Sequence, residues 1–415
     1  MRKSNSLINN LDWPLLIGFL TLICFGLMTI YSVAFNEENP SIFSFSEKYG
    51  KQIMWICLSM FLGIIVFLID SDVYKKFAVP IYLVSIGMLV LVLFMPPING
   101  ARAWLGIGSM GIQPAEFAKI TTALLLAKYV SNINLKQLNS NNVLIALVVI
   151  IIPMALVLLQ PDAGTFVVFT AFFFVLYREG LTFDPFILKF INLIPKVKYK
   201  STWIGSHFIP ILFVLVFLSV LTILLGHKNL GIIPGLPLYG SFGIIVSLLL
   251  ISITGILFIQ KFGTKRERVK VRLIIILSFI IGSATSYFVE YSFVHLADHQ
   301  KDRIELFLGL KEDPNGKDYN RNRAMAAVGS GGFSGKGYKN ASVSSVKTNH
   351  VPESETDFIF CPFAEEWGFV GGAILLLIYL FIIIRILVIA ERQRSSFNRI
   401  YAYSVGMFFF YHFAI

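Results

Sequence analysis

Apolar segments long enough to cross a lipid bilayer recur along almost the whole chain, and they constrain its fold more than any other feature. Eleven such segments lie near residues 13–35, 51–69, 75–95, 113–131, 142–160, 163–178, 208–226, 240–260, 272–289, 363–390 and 399–415. A helical crossing takes roughly 20 residues. Only 14% of the 415 residues are charged, against roughly a quarter in soluble domains. The sequence therefore predicts an all-α polytopic membrane protein.

The basic residues predict the orientation of this protein in the membrane. The net charge is +11, and its densest run, Lys261–Arg272, lies between two apolar segments. With Arg2 and Lys3 in the cytoplasm, alternating spans bring the basic loops to one side, as the positive-inside rule requires. No aromatic and basic soluble module accompanies the charge, which argues against a nucleic-acid partner. The long polar stretch of residues 290–361 is then extracytoplasmic.

That polar stretch has the pattern of an ordered segment. "YNRNRAMAAVGSGG", residues 319–332, predicts a short helix that ends in glycines. Loops of this length in compact proteins are usually functional or disordered. Because a helical pattern argues for order, we expect a functional loop.

Paired charges stand at the predicted outer end of one span. Pro114 suits the first turn of a helix, and Glu116 and Lys119 share one of its faces because they are three residues apart. One interpretation is an ion pair that holds the helix in place. The other is a cation directed at an anionic ligand, with Arg102 in the preceding loop adding a second charge.

Two further stretches each allow a structural and a functional interpretation. Asp162 lies between two apolar segments, where Asp commonly caps the following helix, but it also lies at the predicted outer face. Residues 329–337, "GSGGFSGKG", fail as a P-loop, because Ser330 stands at its first glycine and Gly337 at its Ser or Thr. They form either a flexible turn or a backbone that approaches a ligand closely beside Lys336.

Carboxylates gather before and within the start of the apolar segment 363–390. They are Glu353, Glu355, Asp357, Glu365 and Glu366. Acids are favourable near a helix N-terminus, so several of them can be purely structural. The spacing of these carboxylates from His350 gives no support to a metal site.

Taken in order, these stretches resemble the SEDS family (shape, elongation, division and sporulation) of cell-wall polymerases, above all its members for cell elongation and rod shape. The matching positions are Gln113-Pro114-Ala115-Glu116 with Lys119, Gln160-Pro161-Asp162-Ala163-Gly164-Thr165, Asp313-Pro314 with Gly329–Gly337, and Pro352-Glu353 with Thr356-Asp357-Phe358. The resemblance implies a SEDS-type multi-helix bundle in the bacterial plasma membrane. It predicts one membrane domain over residues 1–415, with a two-helix insertion at 185–262, a catalytic loop at 290–361 and the last helix lacking.

The resemblance also implies a peptidoglycan glycosyltransferase that polymerises lipid II, a disaccharide-pentapeptide on undecaprenyl diphosphate. Asp313 is implied as the catalytic base, since its Asp-Pro step matches the family and Pro314 restricts the backbone. Its competitors on charge alone are Asp298, Asp302, Glu312 and Asp318. The diphosphates are expected on Arg102, Lys119 and Lys336. The remaining candidates for the substrate site are Glu116, Asp162, Glu353 and Asp357, with Asp162 expected to support rather than react.

The implied protein partners are a class B penicillin-binding protein and other membrane proteins of an elongation complex. No cofactor is certain, although a divalent cation could accompany the lipid diphosphate. A lipid II flippase or transporter and a non-catalytic scaffold of a cell-wall complex remain alternatives. A flippase needs charged groups along a path through the bilayer, whereas a scaffold predicts that single loop carboxylates can be replaced without loss.

Overall fold

The computed structural model describes residues 11–35, 41–45, 47–97, 102–107, 110–192, 201–227, 240–295, 301, 318–346 and 350–415. Each of the eleven predicted apolar segments is helical, which confirms the all-α prediction. A short antiparallel hairpin, β1 (Leu105–Ile107) and β2 (Met110–Ile112), precedes the fourth helix. The predicted loop helix is also present, and it ends at Ser330 beside the glycines.

The helices in chain order are α1 (Trp13–Val33), α2 (Lys48–Leu68), α3 (Ser71–Val92), α4 (Pro114–Ser131), α5 (Ser140–Leu159), α6 (Ala163–Phe169), α7 (Ala171–Arg178), α8 (Asp184–Ile191), α9 (Trp203–Ser206), α10 (Phe208–His227), α11 (Gly240–Phe262), α12 (Lys265–Val294), α13 (Asp318–Ser330), α14 (Phe360–Arg392) and α15 (Ser396–Ala414). A 3-10 turn spans Leu135–Gln137.

Seven helices in the described part of the chain are long and apolar enough to cross a bilayer. They are α1, α2, α3, α5, α11, residues Val271–Val294 of α12, and α14. The chain is therefore a multi-pass membrane protein. The α6–α7 segment and residues Phe208–Ile223 of α10 form shorter apolar stretches, while α4 is a full-length helix that carries Glu116, Lys119 and Lys128.

The helices form two compact units. The first unit comprises residues 1–131, 153–169 and 313–415 and contains α4. Helix α4 packs against α3 and α15, and its small side chains Ala115, Ala118 and Ala127 are fully buried. Small residues let helix backbones approach closely in membranes. The hydroxyls of Ser85 and Thr121, 2.6 Å apart, join α3 to α4.

Within the same unit, α14 packs against α1, α13 and α15. An ion pair joins the start of α1 to α14: the guanidinium of Arg385 lies 2.8 Å from the carboxylate of Asp12. Asp12 also caps α1 by accepting a hydrogen bond from the amide of Leu15 at 3.1 Å. The Arg385 guanidinium holds the pKa of Asp12 below its usual value.

The second unit comprises residues 132–152 and 170–312. Helices α10, α11 and α12 pack against one another within it. Asp184, at the start of α8, accepts hydrogen bonds from the amide and hydroxyl of Thr202, both at 2.7 Å. These bonds tie α8 to the start of α9. The range 185–262, predicted as a two-helix insertion, contains most of α8 and all of α9, α10 and α11.

Candidate functional site

Lys119 is almost completely buried on α4, between a carboxylate and an imidazole. Its Nζ lies 2.9 Å from Oε1 of Glu116 and 2.7 Å from Nε2 of His412 on α15. Lys119 is 3% exposed, so these partners offset the cost of removing its charge from water. The helix begins at Pro114, and Glu116 and Lys119 share one face, as the sequence predicts.

The three charged and polar groups open into an apolar cavity of about 470 Å³ between α4, α14 and α15. Beside them, its lining residues are Phe117, Ile120, Tyr379, Tyr401, Val405, Phe408 and Phe409. Such a cavity suits an amphiphile with an anionic head group, because the apolar walls would contact its hydrocarbon part and the Lys119 ammonium its anionic head.

Asp162 connects the second sequence motif to the start of α4. Its Oδ1 accepts from the amide of Thr165 at 3.0 Å, and its Oδ2 accepts from the Thr165 hydroxyl at 2.8 Å. This is the geometry of an N-cap on α6. The Oδ2 also accepts from Nε2 of Gln113 at 3.0 Å. Asp162 therefore holds the residue that precedes α4 and, through it, the helix that carries Glu116 and Lys119.

Helix α14 is interrupted at Gly368, where φ is 65° and ψ is −166°. Residues 329–337, the glycine segment, bond to both sides of this break. Before the break, the amide of Lys336 donates to the carbonyl of Glu365 and the amide of Gly337 donates to the carbonyl of Glu366, each at 3.0 Å. After the break, the amide of Phe369 donates to the carbonyl of Gly332 at 2.9 Å, and the amide of Val370 donates to the carbonyl of Phe333 at 3.2 Å. The segment thus satisfies backbone groups that an interrupted helix leaves unpaired.

Glycine is needed here because two backbones lie in direct contact. Gly335 has φ +80°, and a Cβ atom there would lie 2.1 Å from the carbonyl oxygen of Glu366. At Gly368 a Cβ atom would lie 2.3 Å from the amide nitrogen of Gly335. The amides of Lys336 and Gly337 bind the protein's own carbonyls, so this part of the glycine segment is held by backbone hydrogen bonds.

The buried carboxylate of Glu365 organises the residues that follow the glycine segment. Its Oε1 lies 2.5 Å from Nζ of Lys336. Oε1 also accepts from the amides of Ser342 at 3.0 Å and Val343 at 2.9 Å. Oε2 accepts from the amide of Ser344 at 2.9 Å and from its hydroxyl at 2.6 Å. Lys336, expected on a diphosphate, is thus engaged in an internal ion pair.

The neighbouring Glu366 is also buried and joins the loop to α1. It accepts from the amide of Lys339 at 3.1 Å and from the hydroxyl of Ser32. A further ion pair, between Glu355 and Lys48, connects the loop to the start of α2. The two adjacent glutamates of α14 were expected at a helix start, but the sequence carried no signal for these partners.

The remaining predicted site residues are not among the lining residues of the Lys119 cavity, or they lie outside the described residues. Arg102 is exposed, and its Nη1 donates to the carbonyl of Leu93 at 3.1 Å. Glu353 is exposed and accepts from the hydroxyl of Thr356 at 3.0 Å. Asp357 is exposed as well.

Asp313, the predicted base, lies outside the described residues, shortly before α13 in the chain. Arg102, Lys119 and Lys336, the three expected diphosphate ligands, have different partners in the structure. Among the residues that the structure describes, no group of three or more His, Cys, Asp or Glu side chains is arranged to hold a metal ion.

Comparison with known proteins gives one consistent result. The family model FTSW_RODA_SPOVE, described as "Cell cycle protein", matches residues 13–199 and 241–415. The chain is 29% identical to peptidoglycan glycosyltransferase RodA of Treponema pallidum (strain Nichols), across 98% of this chain and 89% of that protein. It is 27% identical to peptidoglycan glycosyltransferase MrdB of Escherichia coli (strain K12), across 95% of this chain and 79% of that protein.

A solved structure shares the fold. It comes from a peptidoglycan synthase complex that coordinates polymerization and crosslinking, and it superposes with a TM-score of 0.57 at 19% identity, covering 96% of this chain and 84% of its own. The family model covers most of the chain and both of its terminal helical regions. This protein therefore belongs to the FtsW, RodA and SpoVE family of cell cycle proteins, the SEDS family that its motifs resemble.

Proposed function

We propose that this chain is a peptidoglycan glycosyltransferase that polymerises lipid II into glycan strands for cell elongation, at the extracytoplasmic face of the bacterial plasma membrane. One observation carries the assignment of substrate to site: Lys119 lines a cavity whose walls are mostly apolar. The lipid chain of such a substrate would contact the cavity's apolar walls. Its diphosphate would meet the ammonium.

The proposed reaction joins two sugars by substitution at the donor's anomeric carbon. The acceptor's 4-hydroxyl attacks this carbon, a new carbon–oxygen bond forms, and the bond to the lipid diphosphate breaks. The hydroxyl proton passes to the carboxylate of Asp313, and the diphosphate leaves as an anion. Because a diphosphate is a good leaving group, it needs nearby cations more than a protonating acid.

The charged residues have different parts in this proposal. Lys119 stabilises the leaving diphosphate, and Glu116 holds its side chain in position. Arg102 and Lys336 are proposed as further diphosphate ligands, although Lys336 would have to exchange its contact with Glu365. A divalent cation could supplement these charges. The exposed Glu353 and Asp357 are proposed substrate contacts.

The assignment of the base is tested by comparing three carboxylate variants in glycan polymerisation, with products scored by gel. General-base catalysis typically contributes about 10²–10⁴-fold, so Asp313→Asn should abolish detectable polymer while lipid II still binds. The matched controls, Glu312→Gln and Asp318→Asn, should remain active. If Asp313→Asn makes polymer and a control does not, the base is another residue. Lipid II movement across proteoliposomes without polymer would instead support a flippase.

Lys119→Met tests the binding half of the proposal. This change removes the charge but keeps most of the side-chain volume, so the helix should fold while the affinity for lipid II falls. Wild-type affinity in a folded Lys119→Met protein would remove Lys119 from the substrate site.

We also propose that the chain works with a class B penicillin-binding protein. The fold match to a protein from a complex that coordinates polymerization and crosslinking supports this pairing. Copurification from membranes with a crosslinking enzyme would support it. Full polymerisation and recovery as a lone chain would oppose it.

A further inference from the structure

His412 contacts Lys119 at the cavity, and neither the motifs nor the proposed reaction uses it. It belongs to the last turn of α15, and its Nε2 is 2.7 Å from Nζ of Lys119. The two residues are 293 positions apart in the chain. Stacking of Phe413 on Tyr379, with ring centroids 5.4 Å apart, fixes this end of α15 against α14.

The contact between Lys119 and His412 determines the protonation state of the imidazole. An ammonium group carries three hydrogens and accepts no hydrogen bond. Lys119 also donates to the carboxylate of Glu116 at 2.9 Å. Nε2 of His412 must therefore accept a hydrogen bond from Lys119, and an imidazole accepts only when it is neutral.

The geometry leaves the ammonium of Lys119 held from two sides. Glu116 precedes it on α4, His412 lies across from it on α15, and both line the cavity. Of the three ammonium hydrogens, one is directed at Glu116 and one at His412. The third can point into the cavity. A long lysine side chain would otherwise adopt many rotamers, so the two contacts fix where its charge lies.

We infer that His412 is a positioning residue for anion binding: its neutral imidazole orients the ammonium of Lys119 toward the diphosphate of the substrate, and protonation of His412 weakens that binding. The inference rests on the proposed function, because it assumes that Lys119 binds the diphosphate. Protonated His412 would lose its acceptor atom and place a second positive charge beside Lys119.

Within the described residues, the other titratable groups that line this cavity are Glu116 and Lys119 on α4, Tyr379 on α14 and Tyr401 on α15. His412 is the group whose charge changes nearest to neutral pH, since histidine has an unperturbed pKa of about 6.5. Burial and the Lys119 ammonium beside it oppose a second positive charge, so the affinity should fall on the acidic side of that value.

The test measures binding of fluorescent lipid II to the whole chain in detergent between about pH 4.5 and 8, a range that extends to the acidic side of the usual histidine titration. His412→Gln keeps an acceptor oxygen but does not titrate, so it should bind at all pH values and lose the pH dependence. His412→Phe keeps a ring without an acceptor, so it should bind roughly tenfold more weakly throughout. His295→Gln, a histidine at the end of α12 in the other unit, is the matched control and should behave as wild type.

The outcomes separate this inference from the proposed function. If Lys119→Met binds lipid II as wild type does, the diphosphate role of Lys119 is wrong and the inference falls with it. If Lys119→Met binds weakly while His412→Gln retains the wild-type pH profile, only the role of His412 is wrong. Tighter wild-type binding at low pH would also overturn the inference, because His412 would then contribute a cation of its own. Thermal unfolding of each variant checks that it is folded.

Discussion

Replacing Glu365 by glutamine should release the loop that follows the glycine segment. Gln has the shape of Glu but carries one acceptor oxygen instead of two, and its NH₂ group donates. The Oε2 atom of Glu365 accepts from the amide of Ser344 at 2.9 Å and from its hydroxyl at 2.6 Å. The Oε1 atom accepts from the amides of Ser342 and Val343 and from Lys336. In either orientation, the new NH₂ group faces at least two donors.

The expected cost follows from the number of hydrogen bonds lost. Each hydrogen bond to a charged group contributes about 1.5–3 kcal/mol, so two of them amount to about 3–6 kcal/mol. The Ser344 hydroxyl can rotate and accept from the NH₂ group, which favours the lower figure. Since every 1.4 kcal/mol is tenfold, about 3 kcal/mol makes local opening of residues 336–344 about a hundredfold more frequent.

Hydrogen–deuterium exchange of peptides that cover residues 336–344 measures this opening directly. Glu365→Gln should lower their protection about a hundredfold, while peptides from the centre of α14 remain protected. Glu353→Gln removes a charge from an exposed residue of the same loop and serves as the control. Unchanged protection in a Glu365→Gln protein would refute the view that this carboxylate holds the loop together.

Two further predictions concern the glycine segment and the cap of α6. Gly335→Ala should lower the thermal unfolding temperature in detergent far more than Gly332→Ala. Both positions have positive φ, which costs about 1–2 kcal/mol for a residue other than glycine. The added Cβ atom at Gly335 would clash with a backbone oxygen, whereas the one at Gly332 would meet open space. Equal effects would show that the contact with Glu366 does not constrain Gly335. Asp162→Asn should keep the cap and most polymerisation activity, whereas Asp162→Ala should cost about 1 kcal/mol of stability; complete inactivity of a well-folded Asn variant would show that the charge itself is needed.

The sequence by itself determined the features that depend on neighbours along the chain. The apolar segments predicted the helices, because a bilayer demands long runs of apolar residues in a single element. The pairing of Glu116 with Lys119 and the capping position of Asp162 follow from helix geometry over three residues. Four motifs in order were enough to suggest the family.

Tertiary structure alone decided which distant groups meet. His412 reaches Lys119 because α15 packs against α4, and no sequence spacing encodes such a contact. The glycines between residues 329 and 337 were recognisable as unusual. That they bond across a break in α14 at Gly368 depends on the approach of two backbones. Lys336 likewise resembled a free cation until the fold brought the buried Glu365 beside it. The sequence specifies the chemistry of each side chain, but the packing of the helices determines which group pairs with a buried charge.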